Sequence, residues 1–168
     1  MRLTTLCYIR NKDRYLMMHR IKKDQDENAG KWIGIGGHLE ENESPEDCIK
    51  REIREETGLS VHDLCLRGVI TFILPDWGNE LTFLYTAVTD EDTVPVCNEG
   101  ELAWIAVDAV MDLPLWEGDR IFLPLLETRK ECFSLKLIYG PGDILAGYVL
   151  EPEGGPGDKE DEDQDAFR

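Results

Sequence analysis

Gly37-His-Leu-Glu-Glu-Asn-Glu43-Ser-Pro-Glu-Asp-Cys-Ile-Lys-Arg51-Glu52-Ile-Arg-Glu55-Glu56-Thr-Gly58-Leu59 reads as a helix with both ends written into it. Ser44 is an N-cap candidate, Pro45 suits the first helical position, and Glu46 and Asp47 favour the positive end of the helix dipole. Gly58 can take the left-handed stop, so the spacing predicts a helix over Pro45 to Thr57. At about 100° per residue, Glu52, Glu55 and Glu56 share an arc of roughly 100°, and Ile49 and Ile53 open the next. Like charges at these spacings repel by a few tenths of a kcal/mol per pair. Lys50, Arg51 and Arg54 lie away from that arc, which leaves a shared external cation as the simpler offset. Oxygen-only donors suit a hard ion, Mg²⁺ or Mn²⁺. On spacing alone, a solvated charged face fits as well.

The 168 residues suffice for one domain with a sizeable core. The net charge of -17 is uneven, because eight acids against two bases fall from Glu151 onward. That segment, residues 151–168, combines Gly, Pro and acids with almost nothing apolar and reads as a disordered tail behind a domain over residues 1–150. Such a surface repels polymeric nucleic acid and anionic membranes, and a negative protein that handles phosphates needs cations as go-betweens. Cys7, Cys48, Cys65, Cys97 and Cys132 show neither C-x-x-C spacing nor an even count, which suits reduced residues of a cytoplasmic protein. No signal region or long apolar span is present in the sequence, so no membrane association is expected.

In chain order, Leu3 to Ile9 and Tyr15 to His19 are strand-like runs joined by the turn-prone Asn11-Lys-Asp13, a hairpin pattern. Arg20, Lys22 and Lys23 form the densest basic cluster, which serves equally as a soluble loop edge or a phosphate contact. Lys31-Trp-Ile-Gly34-Ile-Gly36-Gly37 alternates glycine with apolar residues, letting backbone approach a ligand. Beyond the helix, Val61 to Leu66 reads as a connector. Gly68 to Leu74, Leu81 to Val88 and Leu102 to Val107 read as strands, with Glu99 in the loop from Asp90 to Gly100. Asp108 to Pro114 reads as a short helical turn. Asp119 can cap a second helix built on Ile121, Phe122, Leu125 and Leu126, which Pro124 should kink or delay. Cys132 to Tyr139 and Ile144 to Leu150 flank Gly140-Pro-Gly-Asp143 as a closing hairpin. The expected class is α+β, a mixed β-sheet between helices in an α/β/α sandwich.

The opening stretch resembles the Nudix box, G-x5-E-x7-R-E-U-x-E-E-x-G-U with U aliphatic. Every fixed position is met: Gly37, Glu43, Arg51, Glu52, Ile53, Glu55, Glu56, Gly58 and Leu59. The resemblance implies a mixed-sheet Nudix fold and hydrolysis of a nucleoside diphosphate linkage. It implies divalent metal held by Glu52, Glu55 and Glu56, with help from the carbonyl of Gly36 and from Glu99 in a later loop. Arg51 and Glu43 are implied to form a pair that fixes loop against helix. Glu55, Glu56 and Glu99 each remain open as the base that activates water.

Outside the box the chain is similar to the MutT-type members, the 8-oxo-dGTP diphosphatases, over roughly Arg2 to Leu150. The similarity rests on Thr4 to Ile9, Gly30 to Gly37, Gly68 to Phe72, Cys97 to Gly100 and Leu115 to Asp119. It implies that Phe72 and Trp116 stack a purine and that Asp119 bonds its edge. Each also has an ordinary reading: strand core, loop packing and helix cap, respectively. Where the mammalian members read the base with an asparagine this chain has Ile33, and where they carry an aspartate pair it has Gly118 before Asp119. Asn28 and Asn98 are candidates to supply the missing polar contact. The implied activity is cleavage of an oxidised purine nucleoside triphosphate to monophosphate and pyrophosphate, by a monomer or homodimer. The alternatives are an ADP-ribose pyrophosphatase, suggested by Pro75, and a non-catalytic nucleotide-binding regulator on the same fold.

Overall fold

The computed structural model describes residues 1–21, 26–94 and 96–153. Strands β1 (Arg2–Asn11) and β2 (Arg14–His19) form the expected hairpin, turning through Lys12 at φ 54°. The short strands β3 (Trp32–Ile33) and β4 (Ile35–His38) precede helix α1 (Pro45–Thr57). Then come β5 (His62–Ile73), β6 (Glu80–Val88), β7 (Glu101–Ala106), a 3₁₀ turn (Val107–Asp112), helix α2 (Asp119–Thr128), β8 (Phe133–Tyr139) and β9 (Leu145–Glu151).

The described strands make one mixed sheet in the order β3-β2-β1-β6-β5-β8-β9, with β4 on β1 and β7 on β2. β1 runs parallel to β6 along its whole length. Its other edge is shared: Thr4 to Cys7 pair with β4, and Arg10 and Asn11 pair with β2. The sheet therefore splits at β1, and residues of β1, β4, β5 and β6 line the cavity described below.

Side-chain alternation along β1 and β2 assigns the two faces. Tyr8, Tyr15 and Met17 join Phe122, Leu123 and Leu126 of α2 on one side. Cys7, Ile9, Leu16 and Met18 join Ile49 and Ile53 of α1 on the other. The paired halves of both strands are thus buried on both faces, and the architecture is the expected helix–sheet–helix sandwich.

Helix α1 has the bounds read from the sequence. Ser44 Oγ accepts from the Asp47 N–H at 3.1 Å while Asp47 Oδ2 accepts from the Ser44 N–H at 3.0 Å, a reciprocal cap. Gly58 ends the helix at φ 63°, its N–H donating to the Arg54 carbonyl at 3.0 Å.

Three local expectations differ. The segment from Val61 to Leu66 is not a connector, since β5 begins at His62; register shifts against β6 between His62 and Gly68, with Asp63 at φ 54°, hide the strand's alternation. Asp119 does not cap α2: Gly118 occupies the N-cap without a side-chain bond, and the Asp119 side chain is buried instead. Nor does the helix start late: it begins at Asp119 and runs through Pro124 to Thr128. Pro75 lies in the turn just past β5, where a proline ends a strand. All five cysteines are free thiols. Among the described residues no helix is long and apolar enough to cross a membrane. Glu151, expected at the head of the tail, instead ends β9, while the tail expectation for residues 154–168 and those for Lys22 and Lys23 fall outside the described residues.

Candidate active site

The glycines before α1 are set by close approach. A Cβ at Gly36 would lie 1.9 Å from the Thr5 carbonyl oxygen, and one at Gly37 would lie 2.4 Å from Glu52 Oε1. β4 can therefore press against β1 and bring its backbone up to the first acid of α1 only without side chains.

Arg51 sits at the centre of the acidic end. Its Nε donates to Glu43 Oε1 at 2.5 Å and its Nη2 to Glu43 Oε2 at 3.0 Å, a bidentate pair that binds the preceding loop to the helix. Its Nη2 also donates to the His38 carbonyl at 3.1 Å. The guanidinium holds the Glu43 carboxyl down at about 2. Arg51 does not stay apart from the carboxylate arc as its helical position suggests: Nη1 reaches Glu52 Oε1 at 2.8 Å and Glu55 Oε2 at 3.2 Å. A helical projection places the Cβ, and a long side chain sweeps well beyond it.

The acids then separate by environment. Glu52 is half-buried and lines the cavity, and burial raises its carboxyl. Glu55 is more than half exposed, turned toward Arg51, and does not line the cavity. Glu56 is buried at 7 % exposure; it accepts from the Gly36 N–H, and its Oε2 has no hydrogen-bond partner. Burial, then the neighbouring Glu99 and Glu52 carboxylates, pushes the Glu56 carboxyl up to about 9. No three His, Cys, Asp or Glu side chains among the described residues already converge in metal-ligand geometry. Even so, an orphaned buried oxygen among crowded carboxylates, with no nitrogen or sulfur donor, is a set that a hard divalent cation would stabilise.

A cavity of about 440 Å³ opens from this end. Gly36, Gly37, Glu52 and Glu99 line one side, and Ile33, Phe72, Trp116 and Asp119 line the other. Its volume falls in the range of small-ligand sites. The described wall carries seven carboxylates and one guanidinium, that of Arg20.

At the far end, Trp116 is 6 % exposed and Asp119 4 %. Burial pushes the Asp119 carboxyl up to about 8, with Arg120 and Lys31 opposing the rise. The Trp116 indole donates to Asn28 Oδ1 at 2.7 Å, meets the Tyr139 ring edge-on, and carries Lys31 Nζ 4.2 Å from its centroid. Asn28 also lines the cavity; Asn98 is exposed and does not. Arg20 is paired with Asp26 at 2.8 Å and with Glu99 at 3.1 Å.

A further array lacked any local signal in the sequence. Arg2 holds Glu27 at 2.8 Å and Glu80 at 3.1 Å, and Glu80 accepts from Thr4 Oγ1 at 2.9 Å and Thr82 Oγ1 at 3.1 Å. Glu27, Glu80, Thr4 and Thr82 all face the cavity. Their meeting depends on the parallel pairing of β1 with β6, which places Thr4 opposite Thr82.

The NUDIX domain family matches residues 1–126. The uncharacterized Nudix hydrolase YvcI of Bacillus subtilis is 30% identical over 154 residues, covering 89% of this chain and 94% of its own. The oxidized purine nucleoside triphosphate hydrolase of Mus musculus is 32% identical over 151 residues, with the same two coverages, 89% and 94%. Among solved structures, a MutT protein from Bacillus halodurans superposes with a TM-score of 0.78 at 27% identity, covering 92% of this chain and 100% of that one. The box read in the sequence, the sandwich built around it and these likenesses agree: the chain belongs to the Nudix hydrolase family.

Proposed function

We propose that this Nudix hydrolase cleaves an oxidised purine nucleoside triphosphate, with 8-oxo-dGTP as the preferred substrate, to the monophosphate and pyrophosphate. Nudix hydrolases generally need divalent metal ions, and the all-oxygen donor set favours Mg²⁺, with Mn²⁺ able to replace it. The observation that carries the reading is a single cavity shared by the Glu52 and Glu99 end and the Phe72, Trp116 and Asp119 end. The mouse relative, similar over most of its length, is named an oxidized purine nucleoside triphosphate hydrolase.

In this reading Glu52, Glu56 and Glu99, with the Gly36 carbonyl, would hold the cation, and Glu55, turned toward Arg51 in this structure, would swing in to complete the set. When bound, it supplies charge neutralisation across the diphosphate and polarises the phosphorus under attack. Glu99, which opens on the cavity, orients the attacking water and takes its proton. Arg51, held by Glu43, fixes the carboxylates of α1 in place. Phe72 and Trp116 bracket the base. Asp119, with its carboxyl pushed up to about 8, stays protonated at neutral pH and offers one O–H donor and one carbonyl acceptor to the purine edge. A site that must satisfy a buried donor and acceptor rejects bases that leave them unpaired.

The test is a panel of 8-oxo-dGTP, dGTP, ADP-ribose and dinucleoside polyphosphates with Mg²⁺, with kcat/KM measured for each and pyrophosphate resolved from phosphate. The highest kcat/KM is expected for 8-oxo-dGTP, with pyrophosphate released. Much faster cleavage of ADP-ribose than of any triphosphate would overturn the reading.

A further inference from the structure

The two ends of the cavity are joined by side chains as well as by the sheet. Arg20, just past β2, donates through Nη1 to Glu99 Oε2 at 3.1 Å and through Nε to Asp26 Oδ2 at 2.8 Å. The other Asp26 oxygen accepts from the Asn28 N–H at 3.0 Å, and Asn28 Oδ1 accepts from the Trp116 indole at 2.7 Å. Backbone bonds close the turn onto the same residue: the Gly30 N–H donates to the Arg20 carbonyl at 2.6 Å, and the Arg20 N–H to the Lys31 carbonyl at 3.0 Å. All five linked side chains line the cavity.

A planar guanidinium presents donors in a rigid fork, so it can hold two carboxylates at a fixed separation. Arg20 spends two donors in this way, one on an acid of the catalytic end and one on the turn that seats Trp116. We propose that Arg20 is a positioning residue that ties Glu99 to the base end through Asp26, Asn28 and Trp116, so that a correctly seated base is sensed in turnover as well as in binding. The inference rests on the activity proposed above, and it adds a route by which base identity reaches the catalytic carboxylate. Discrimination then falls partly on kcat, because an ill-fitting base shifts Asn28 and, through Asp26 and Arg20, the carboxylate that orients water.

A phosphate-binding arginine would behave otherwise, and a kcat-against-KM split separates the two roles. With 8-oxo-dGTP and Mg²⁺, Arg20→Lys and Arg20→Met are both expected to lower kcat by about tenfold with little change in KM, since methionine has no donor and the compact lysine ammonium cannot reproduce the spacing of the Nε and Nη1 donors. Near wild-type behaviour of Arg20→Lys together with a raised KM for Arg20→Met would overturn the proposal, because lysine preserves a simple phosphate contact. The second arm is a double-mutant cycle between Asn28→Ala and Glu99→Gln. Their effects on kcat/KM should depart from additivity by at least about threefold, and become additive in an Arg20→Met background.

The same cycle read in thermal unfolding without nucleotide needs no substrate, and a non-additive shift of about 2 °C is expected with Arg20 intact. Additivity there would sink the tie whatever the substrate. Coupling in unfolding with no cleavage of any triphosphate would leave the tie standing and refute the assigned activity instead.

Discussion

The acidic and base-facing ends of the cavity are built on different principles. Nearly everything at the acidic end comes from one stretch of 23 residues, and its bonds are short in sequence: Ser44 caps with Asp47 three positions on, and Arg51 grips Glu43 eight positions back. The base end is assembled from remote pieces. The Trp116 bond to Asn28 spans 88 positions, and the Arg20 bond to Glu99 that joins the two ends spans 79. A local motif can carry the reaction while distant walls choose the substrate, so the two can be varied separately except where Arg20 ties them.

The sharpest test of this division is Glu56→Gln. It should lower kcat/KM by about a hundredfold while the fold persists, because the variant removes a charged donor to the cation and keeps its shape. An active Glu56→Gln enzyme would break the assignment of chemistry to the box. At the opposite end, Asp119→Ala should raise KM for 8-oxo-dGTP by roughly thirtyfold, equivalent to about 2 kcal/mol of unmade buried hydrogen bonding. Its effect on dGTP should be smaller, and equal losses on both nucleotides would show that Asp119 does not read the base.

Asp119 also gives the base end a pH signature. Its folded carboxyl is raised to about 8 from an ordinary value near 4, so between those values the unfolded chain ionises while the folded one keeps its proton. The stabilising contribution is complete below about pH 4, declines as pH rises, and is gone above about pH 8. The fall is at most about 1.4 kcal/mol between pH 6 and 7. Urea unfolding at pH 5, 7 and 9 should show this slope reduced in Asp119→Asn. Smallest of all, Ser44→Ala should cost about 1 kcal/mol through loss of the α1 cap, measured as a Tm drop of about 3 °C. Its catalytic constants should hardly move, because the cap fixes the helix end and not the carboxylates.

How far the sequence could be read follows the same line. The bounds of α1 were legible because caps and glycine stop are chemistry between near neighbours. The hairpins and most strands were legible from alternation. The start of β5 is hidden in the sequence, because the irregular register between His62 and Gly68 breaks the period of two. Asp119 looked like a cap because an acid before an apolar helical pattern usually is one, and only tertiary packing shows it buried against the cavity. The engagement of Glu52 and Glu55 by Arg51 was missed for a geometric reason, since a wheel of Cβ directions ignores side-chain reach. Arg2, Glu27 and Glu80 gave no signal at all, because their meeting depends on the register of β1 with β6.

The balance of charge along the described cavity wall, six carboxylates besides the protonated Asp119 against one guanidinium, also governs how substrate arrives. A free triphosphate approaches an opposing field, and that field reaches only about 10 Å at 0.1 M salt. Added salt should therefore quicken encounter, the reverse of the slowing seen where opposite charges steer a ligand in. A nucleotide already carrying its cation meets less repulsion, so the metal complex is the form that enters fastest.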